Sequence, residues 1–301
     1  MNNRLLVATD GGHEAASALQ FAAAYSAGTG IAVEVVSIVE PLSDLPMPLP
    51  HREELELAHA QGVADRVRQH VRDIVGPVSW PVYVRLGRPA PAICTTARSR
   101  GASMVVLGFD DASPPGGNAI AVELLHLAEK PVLIARDGTV PRSAVVGIDF
   151  RPSSLRAAEE AARLIGPDGE LHLVHVEPKL DFPAASVWDW SRCYACAVDG
   201  GFKKMAQGLA ATGTRVESHT RSGGPPAALM EAATDLGADL LAIGSDGYIC
   251  NGRVVVGRVA RTILAEAPVA VLATPVATPA DLELTELATT EAAPEVRRLP
   301  V

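Results

Sequence analysis

Leu240-Leu241-Ala242-Ile243-Gly244-Ser245-Asp246-Gly247, running on to Gly257-Arg258-Val259-Ala260, is the stretch on which the reading of this chain turns. A short, unbroken apolar run reads as a strand buried on both faces. It stops in Gly-x-x-Gly, and after nine intervening residues another glycine, Gly257, opens a helical pattern. Val259, Ile263 and Ala267 fall on one stripe of that helix, Ala260 and Leu264 on the next, and Pro268 ends it. Strand, glycine loop and helix N-terminus together offer bare backbone N–H groups and the positive end of a helix dipole, which suit an anion. Glycine lets the backbone come close to a phosphate and take φ > 0 without steric cost. The same spacing also makes an ordinary tight strand-to-helix turn.

Outward from this stretch the chain keeps alternating. Apolar runs at residues 5–10, 31–39, 82–86, 104–108 and 131–135 read as five strands. Helical patterns over 14–24 (the helix ending near Gly28), over 52–74 behind a loop carrying Pro41, Pro46, Pro48 and Pro50, from Pro89 onward, and over 119–128 fill the intervals. Then the series starts again. Val145-Val146-Gly147-Ile148-Asp149 repeats the first strand and its Asp10, and Val176-Glu177-Pro178 repeats Val39-Glu40-Pro41. Gly223-Gly224-Pro225 repeats Gly87-Arg88-Pro89, Gly237-Ala238-Asp239 repeats Gly101-Ala102-Ser103, and Pro268-Val269 repeats Pro131-Val132. Five anchors keep their order at spacings between 136 (Gly87 to Gly223) and 139 (Asp10 to Asp149), which marks two tandem copies of one unit.

The expected domains are residues 1–138 and 142–275, joined by a linker at 137–142, with a disordered Ala/Thr/Glu/Pro tail at 276–301. Strands alternating with helices imply an α/β fold with a parallel sheet, right-handed crossovers and helices on both faces. The ligand crevice of such a sheet lies beyond the carboxyl ends of its strands, where Asp149, Val176 and Gly244–Gly247 are all expected.

Composition narrows the function. Apolar residues make up 48% of the 301 and aromatics 4%, a mix of Ala, Val and Leu that suits helices on a parallel sheet. A formal net charge of −9, with no basic stretch, argues against a nucleic-acid or anionic-membrane partner. Met1-Asn2-Asn3-Arg4 leads straight into a strand, with no signal-peptide pattern, and no apolar run would span a bilayer. A cytoplasmic protein is expected, and four cysteines do not make a disulfide scaffold. No Gly-x-Ser-x-Gly elbow, Walker loop or His-Glu-x-x-His is present, and no residue stands out as a general base.

The strand-one aspartates (Asp10, Asp149), Val-x-Pro after strand two, Gly-x-Pro before helix three and the glycine pattern from Gly244 together resemble the universal stress protein family in its tandem form, over about residues 3–136 and 143–274. The resemblance implies a doubly wound five-stranded sheet of order 3-2-1-4-5 in each half, with the halves pairing through their last strands as a pseudo-dimer. Two chains could also pair as a homodimer. For nucleotide-binding members it implies ATP with Mg²⁺ in the crevice: the aspartate on the ribose or metal side, the backbone after strand two at the adenine, the glycines at the phosphates. Carried onto this chain, the site residues are Gly147, Asp149, Val176, Gly244, Ser245, Gly247, Gly257, Arg258 and Val259.

Two departures matter in the C-terminal half. Arg258 stands where the family has Ser or Thr, able to supply charge-assisted bonds or to fill the pocket, and Asp246 puts a carboxylate into the phosphate loop unless Mg²⁺ bridges it. The N-terminal half departs further. Gly108 is followed by Phe109-Asp110-Asp111, and Ile120-Ala121 replace the last glycine and its hydroxyl neighbour. Carboxylates there repel phosphates, so this half is expected to be a structural partner without ATP.

Occupancy of a single site, with at most slow hydrolysis, points to a sensing or regulatory ligand. Two alternatives stay open. One is a nucleotide-free scaffold acting through protein partners. The other is a thiol or zinc sensor on Cys193-Tyr194-Ala195-Cys196, expected in a loop entering a helix. His172 and His175 are expected on one face of strand two, with His175 packed into the sheet, and His51, His59 and His70 on a solvated helix face.

Overall fold

The alternating runs build the architecture they imply. A computed structural model describes residues 4–41, 51–109, 119–127, 130–178, 187–245, 248–250 and 253–275. The first half runs β1 (Arg4–Ala8), α1 (Ala16–Thr29), β2 (Ala32–Val39), α2 (Arg52–Val75), β3 (Val82–Leu86), α3 (Pro89–Arg100), β4 (Met104–Gly108), α4 (Ala119–Leu127) and β5 (Val132–Ala135). The second runs β6 (Ser143–Gly147), α5 (Pro152–Ile165), β7 (Glu170–Glu177), α6 (Val187–Leu209), β8 (Arg215–Ser222), α7 (Pro225–Asp235), β9 (Leu240–Ser245), a small hairpin of β10 (Tyr248–Cys250) and β11 (Arg253–Val255), α8 (Arg258–Glu266) and β12 (Ala270–Pro275). Pro89, Pro152 and Pro225 each open a helix, where the missing N–H costs nothing and φ is already set. The expected tail at 276–301 lies outside the described residues.

All ten long strands form one sheet of order β3-β2-β1-β4-β5-β12-β9-β6-β7-β8. Each half keeps the order 3-2-1-4-5 with parallel neighbours, and the halves join antiparallel through β5 and β12, pairing Ile134 with Val271 and Val132 with Ala273. Because side chains alternate, each strand feeds two layers. Leu5 and Val7 belong to a layer that also holds residues of α1, α2, α5 and α6, whereas Leu6 and Ala8 join a second layer with α3, α4, α7 and α8. Both layers run through both halves, so the pseudo-dimer shares its core. Among the described residues no helix is long and apolar enough to cross a membrane.

One charge interrupts the apolar sheet. Glu34 on β2 is 5% exposed, and Arg100 grips it with Nε and Nη2 at 2.8 and 2.7 Å while Arg4 adds a third bond at 3.1 Å. The Arg100 guanidinium also lies 4.8 Å over the Tyr83 ring. Hydrogen bonding from Arg100 holds the Glu34 carboxyl below its ordinary 4.5. A depressed folded-state pKa contributes stability that is present above pH 4.5 and lost as pH falls through the folded value. Arg100→Ala is therefore expected to lower stability at neutral pH, by less than breaking a fully buried pair would, because Arg4 remains and Arg100 is part-exposed. Urea unfolding of both proteins should show that gap narrowing at acid pH.

Candidate functional site

At the carboxyl edge of the C-terminal sheet, the register sets Gly147 of β6 beside Val174 of β7 and Ile243 of β9. Asp149, Val176, Gly244 and Ser245 thus gather at adjoining strand ends, as the sequence implied. Gly257 is the extended N-cap of α8, without a capping side chain and with no acid in the helix's first turn. Arg258 and Val259 open that helix; Arg258 is exposed, so its bulk does not fill a buried pocket, and Val259 is half-buried. Asp246 and Gly247 lie outside the described residues.

The glycines at this edge have packing duties of their own. A Cβ on Gly244 would stand 2.6 Å from the Ser153 carbonyl carbon and the Ser154 nitrogen, so only glycine lets β9 pass the start of α5. At Gly147 the nearest atom would be the end of the Leu229 side chain, at 2.8 Å, which can swing aside. Ser245 is buried.

Asp149 is exposed, and its Oδ1 accepts the Arg151 N–H at 3.0 Å, the turn that Asp10 makes with Gly12 in the first half at 2.8 Å. Between Asp149 and Arg151 the two halves part. Gly11 takes φ +85° without strain, whereas Phe150 holds φ +65°, a left-handed conformation costly for a bulky residue. Packing compensates. The Phe150 ring meets Phe202 edge-on at 5.5 Å and His175 at 5.2 Å, and Gly201 leaves room that a Cβ would take to within 2.5 Å of it.

His175, 8% exposed, completes this wedge. Its Nδ1 sits 2.7 Å from the Ile148 carbonyl, which only accepts, so Nδ1 carries the proton and Nε2 accepts from the Tyr194 hydroxyl at 2.6 Å. Burial raises the Tyr194 pKa, with Glu177 adding to it, and keeps the hydroxyl a donor.

Three expectations are corrected here. His172 and His175 are three positions apart on a strand, so they face opposite sides of the sheet: His175 meets Tyr194 of α6, and His172 meets His219 of β8. Cys193 and Cys196 sit within α6 rather than in a loop before it, both exposed, while Tyr194 between them turns inward. His51, which caps α2, and His59 on that helix are exposed as expected, but His70 Nε2 is buried without a partner among the described residues. The antiparallel pair β10–β11, joining Cys250 to Arg253, was missed; the Asn-Gly dipeptide at 251–252 of the sequence was the available signal.

In the first half a cleft of about 170 Å³ occupies the equivalent edge, lined by Thr9, Asp10, Leu107, Gly108, Ile120 and Ala121 among others.

Comparison with known proteins follows the repeat. The model of the universal stress protein family matches residues 1–136 and again 142–275. A universal stress protein from Archaeoglobus fulgidus DSM 4304 superposes with TM-score 0.67 at 19% identity, covering 92% of this chain and 97% of that one. A functionally unknown protein from Pseudomonas aeruginosa PAO1 superposes with TM-score 0.58 at 15% identity, covering 96% and 98%. At these identities the likeness shows the fold alone. No curated protein matches the chain significantly.

Gly244→Ala is expected to destabilise by about 1–3 kcal/mol through overpacking against α5, read as a lower urea midpoint. Tyr194→Phe, which leaves His175 Nε2 without its donor, should cost about 1 kcal/mol in the same assay.

Proposed function

Because the chain belongs to the universal stress protein family, we propose that it is a cytoplasmic stress-response protein whose C-terminal half binds ATP with Mg²⁺ as a sensing ligand. The observation that carries this reading is the C-terminal strand edge itself. Asp149, just past β6, and Gly244, near the end of neighbouring β9, lie at adjoining strand ends there, and α8 begins with an uncapped glycine, no acid and an exposed arginine. Unsatisfied N–H groups, the helix dipole and a guanidinium all favour an anion at that place.

These residues fit the nucleotide in kind. The N–H groups of Gly257, Arg258 and Val259, with the Arg258 guanidinium, would hold phosphates. Asp149 offers Oδ2 to a ribose hydroxyl or to the cation, while its Oδ1 stays in the turn with Arg151. Backbone at Val176 would meet the base. The triphosphate supplies the negative charge that such a site lacks. No side chain is assigned as a general base, so ATP serves as a ligand whose occupancy changes what the protein contacts. In the first half, Ile120 and Ala121 line the cleft where a glycine and a hydroxyl would be needed, which supports a structural role there.

The test is a titration of nucleotide-stripped protein with ATP and Mg²⁺, after heat release has identified what the purified protein carries. Saturable binding at one ATP per chain is expected, weakened at least about tenfold (1.4 kcal/mol) by Arg258→Glu and unchanged by Asp10→Asn. No binding up to about 1 mM, a free energy of only about −4 kcal/mol, would overturn the reading and leave a scaffold acting through partners.

A further inference from the structure

The two halves differ most at one buried sheet position. Register places Glu34 beside Leu6 in the first half and His172 beside Val145 in the second, so these residues are counterparts in the repeat. Glu34 is satisfied from within the fold by Arg100 and Arg4. In the second half Leu236 stands before Gly237 where Arg100 precedes Gly101, and Ser143 opens β6 where Arg4 opens β1. A polar side chain has kept its buried place while its internal partners are gone. His172 is 5% exposed, its Nε2 has no partner among the described residues, and its Nδ1 meets another imidazole, Nε2 of His219, at 3.2 Å. As a core residue alone this is a costly choice.

We propose that His172, Glu217 and His219 form a binding site for a divalent transition-metal ion of the zinc class, on the face of the sheet opposite the Phe150 wedge. Their ligand atoms all lie within 4.8 Å of one another. Two imidazole nitrogens on one tetrahedral zinc, at about 2.0–2.1 Å each, stand about 3.3 Å apart, close to the observed 3.2 Å. Glu217 Oε2 is 3.9 Å from His172 Nδ1, and its side chain is 42% exposed, free to close the remaining distance by a small torsion. The other oxygen, Oε1, is held by Arg215 Nη2 at 2.7 Å, which orients the carboxylate toward the imidazoles. Two imidazoles and a carboxylate select zinc, nickel, cobalt or copper over magnesium or calcium.

Glu217 and His219 are half-buried on the outermost strand, which provides the entry path and leaves a coordination position for water. The bound ion ties edge strand β8 to β7.

The test uses the full chain as Cys193→Ser/Cys196→Ser, so that the paired thiols of α6 take no part. After chelator treatment it is titrated with Zn²⁺ by calorimetry and with Co²⁺ by visible absorption. One equivalent of metal, cobalt bands of a tetrahedral N/O site and a raised melting temperature are expected. His219→Ala should weaken binding at least about tenfold and remove the cobalt bands, and Glu217→Gln should weaken it by about tenfold. Circular dichroism confirms that each apo variant is folded. Glu217→Gln, which changes only a part-exposed side chain, serves alone if His219→Ala does not fold. No stoichiometric binding up to about 100 μM metal, or binding unchanged in the variants, overturns the proposal and leaves a hydrogen-bonded histidine pair.

Discussion

A parallel sheet ends in open edges, and an apolar edge strand with unpaired N–H and C=O groups invites other chains. In this protein β5 and β12 answer that constraint together. Each is the last strand of its half, each reads as a short apolar run, and the antiparallel ladder between them converts two inner edges into the middle of one sheet. The two apolar layers then continue across the join, which makes the halves one folding unit in energetic terms. The remaining outer edges, β3 and β8, carry arginines, glutamate and histidine among their side chains.

Duplication leaves two copies of each position free to diverge under one core. At strand one, Asp10 and Asp149 retain the same aspartate turn, yet the next residue is an unstrained glycine in one copy and a strained phenylalanine in the other. The phenylalanine, with His175, Tyr194 and Phe202, packs α6 onto the sheet beside the crevice edge. At strand two, a carboxylate locked by arginines faces a counterpart histidine whose partners come from β8. The copies thus share a scaffold and separate their chemistry.

Much of the fold was legible in the residues. Strands at 82–86 and 104–108 and the helix opened by Pro89 coincide with β3, β4 and α3, because apolar runs, a proline at N1 and a terminal glycine act within a few residues of themselves. The repeat anchors carried the strand order through the family resemblance. Helix α1 begins two residues after Glu14 and runs to Thr29, one residue past the expected end near Gly28, with Gly30 taking the left-handed C-cap. For the crevice, the sequence supplied residue types and their place at strand ends.

Tertiary structure decided the rest, for reasons of distance along the chain. That Gly244 is required by the approach of Ser153 and Ser154 depends on how β9 passes α5, which no local spacing encodes. His172 and His219 are separated by 47 residues and met only once β7 and β8 had taken their register. Tyr194 between two cysteines turned inward because α6 docks on the sheet through that face. Sequence alone determined the main alternating strands and helices and their duplication, because those follow from short-range periodicity. Which side chains share a site followed from register and helix docking, because those contacts join residues that only the completed sheet brings together.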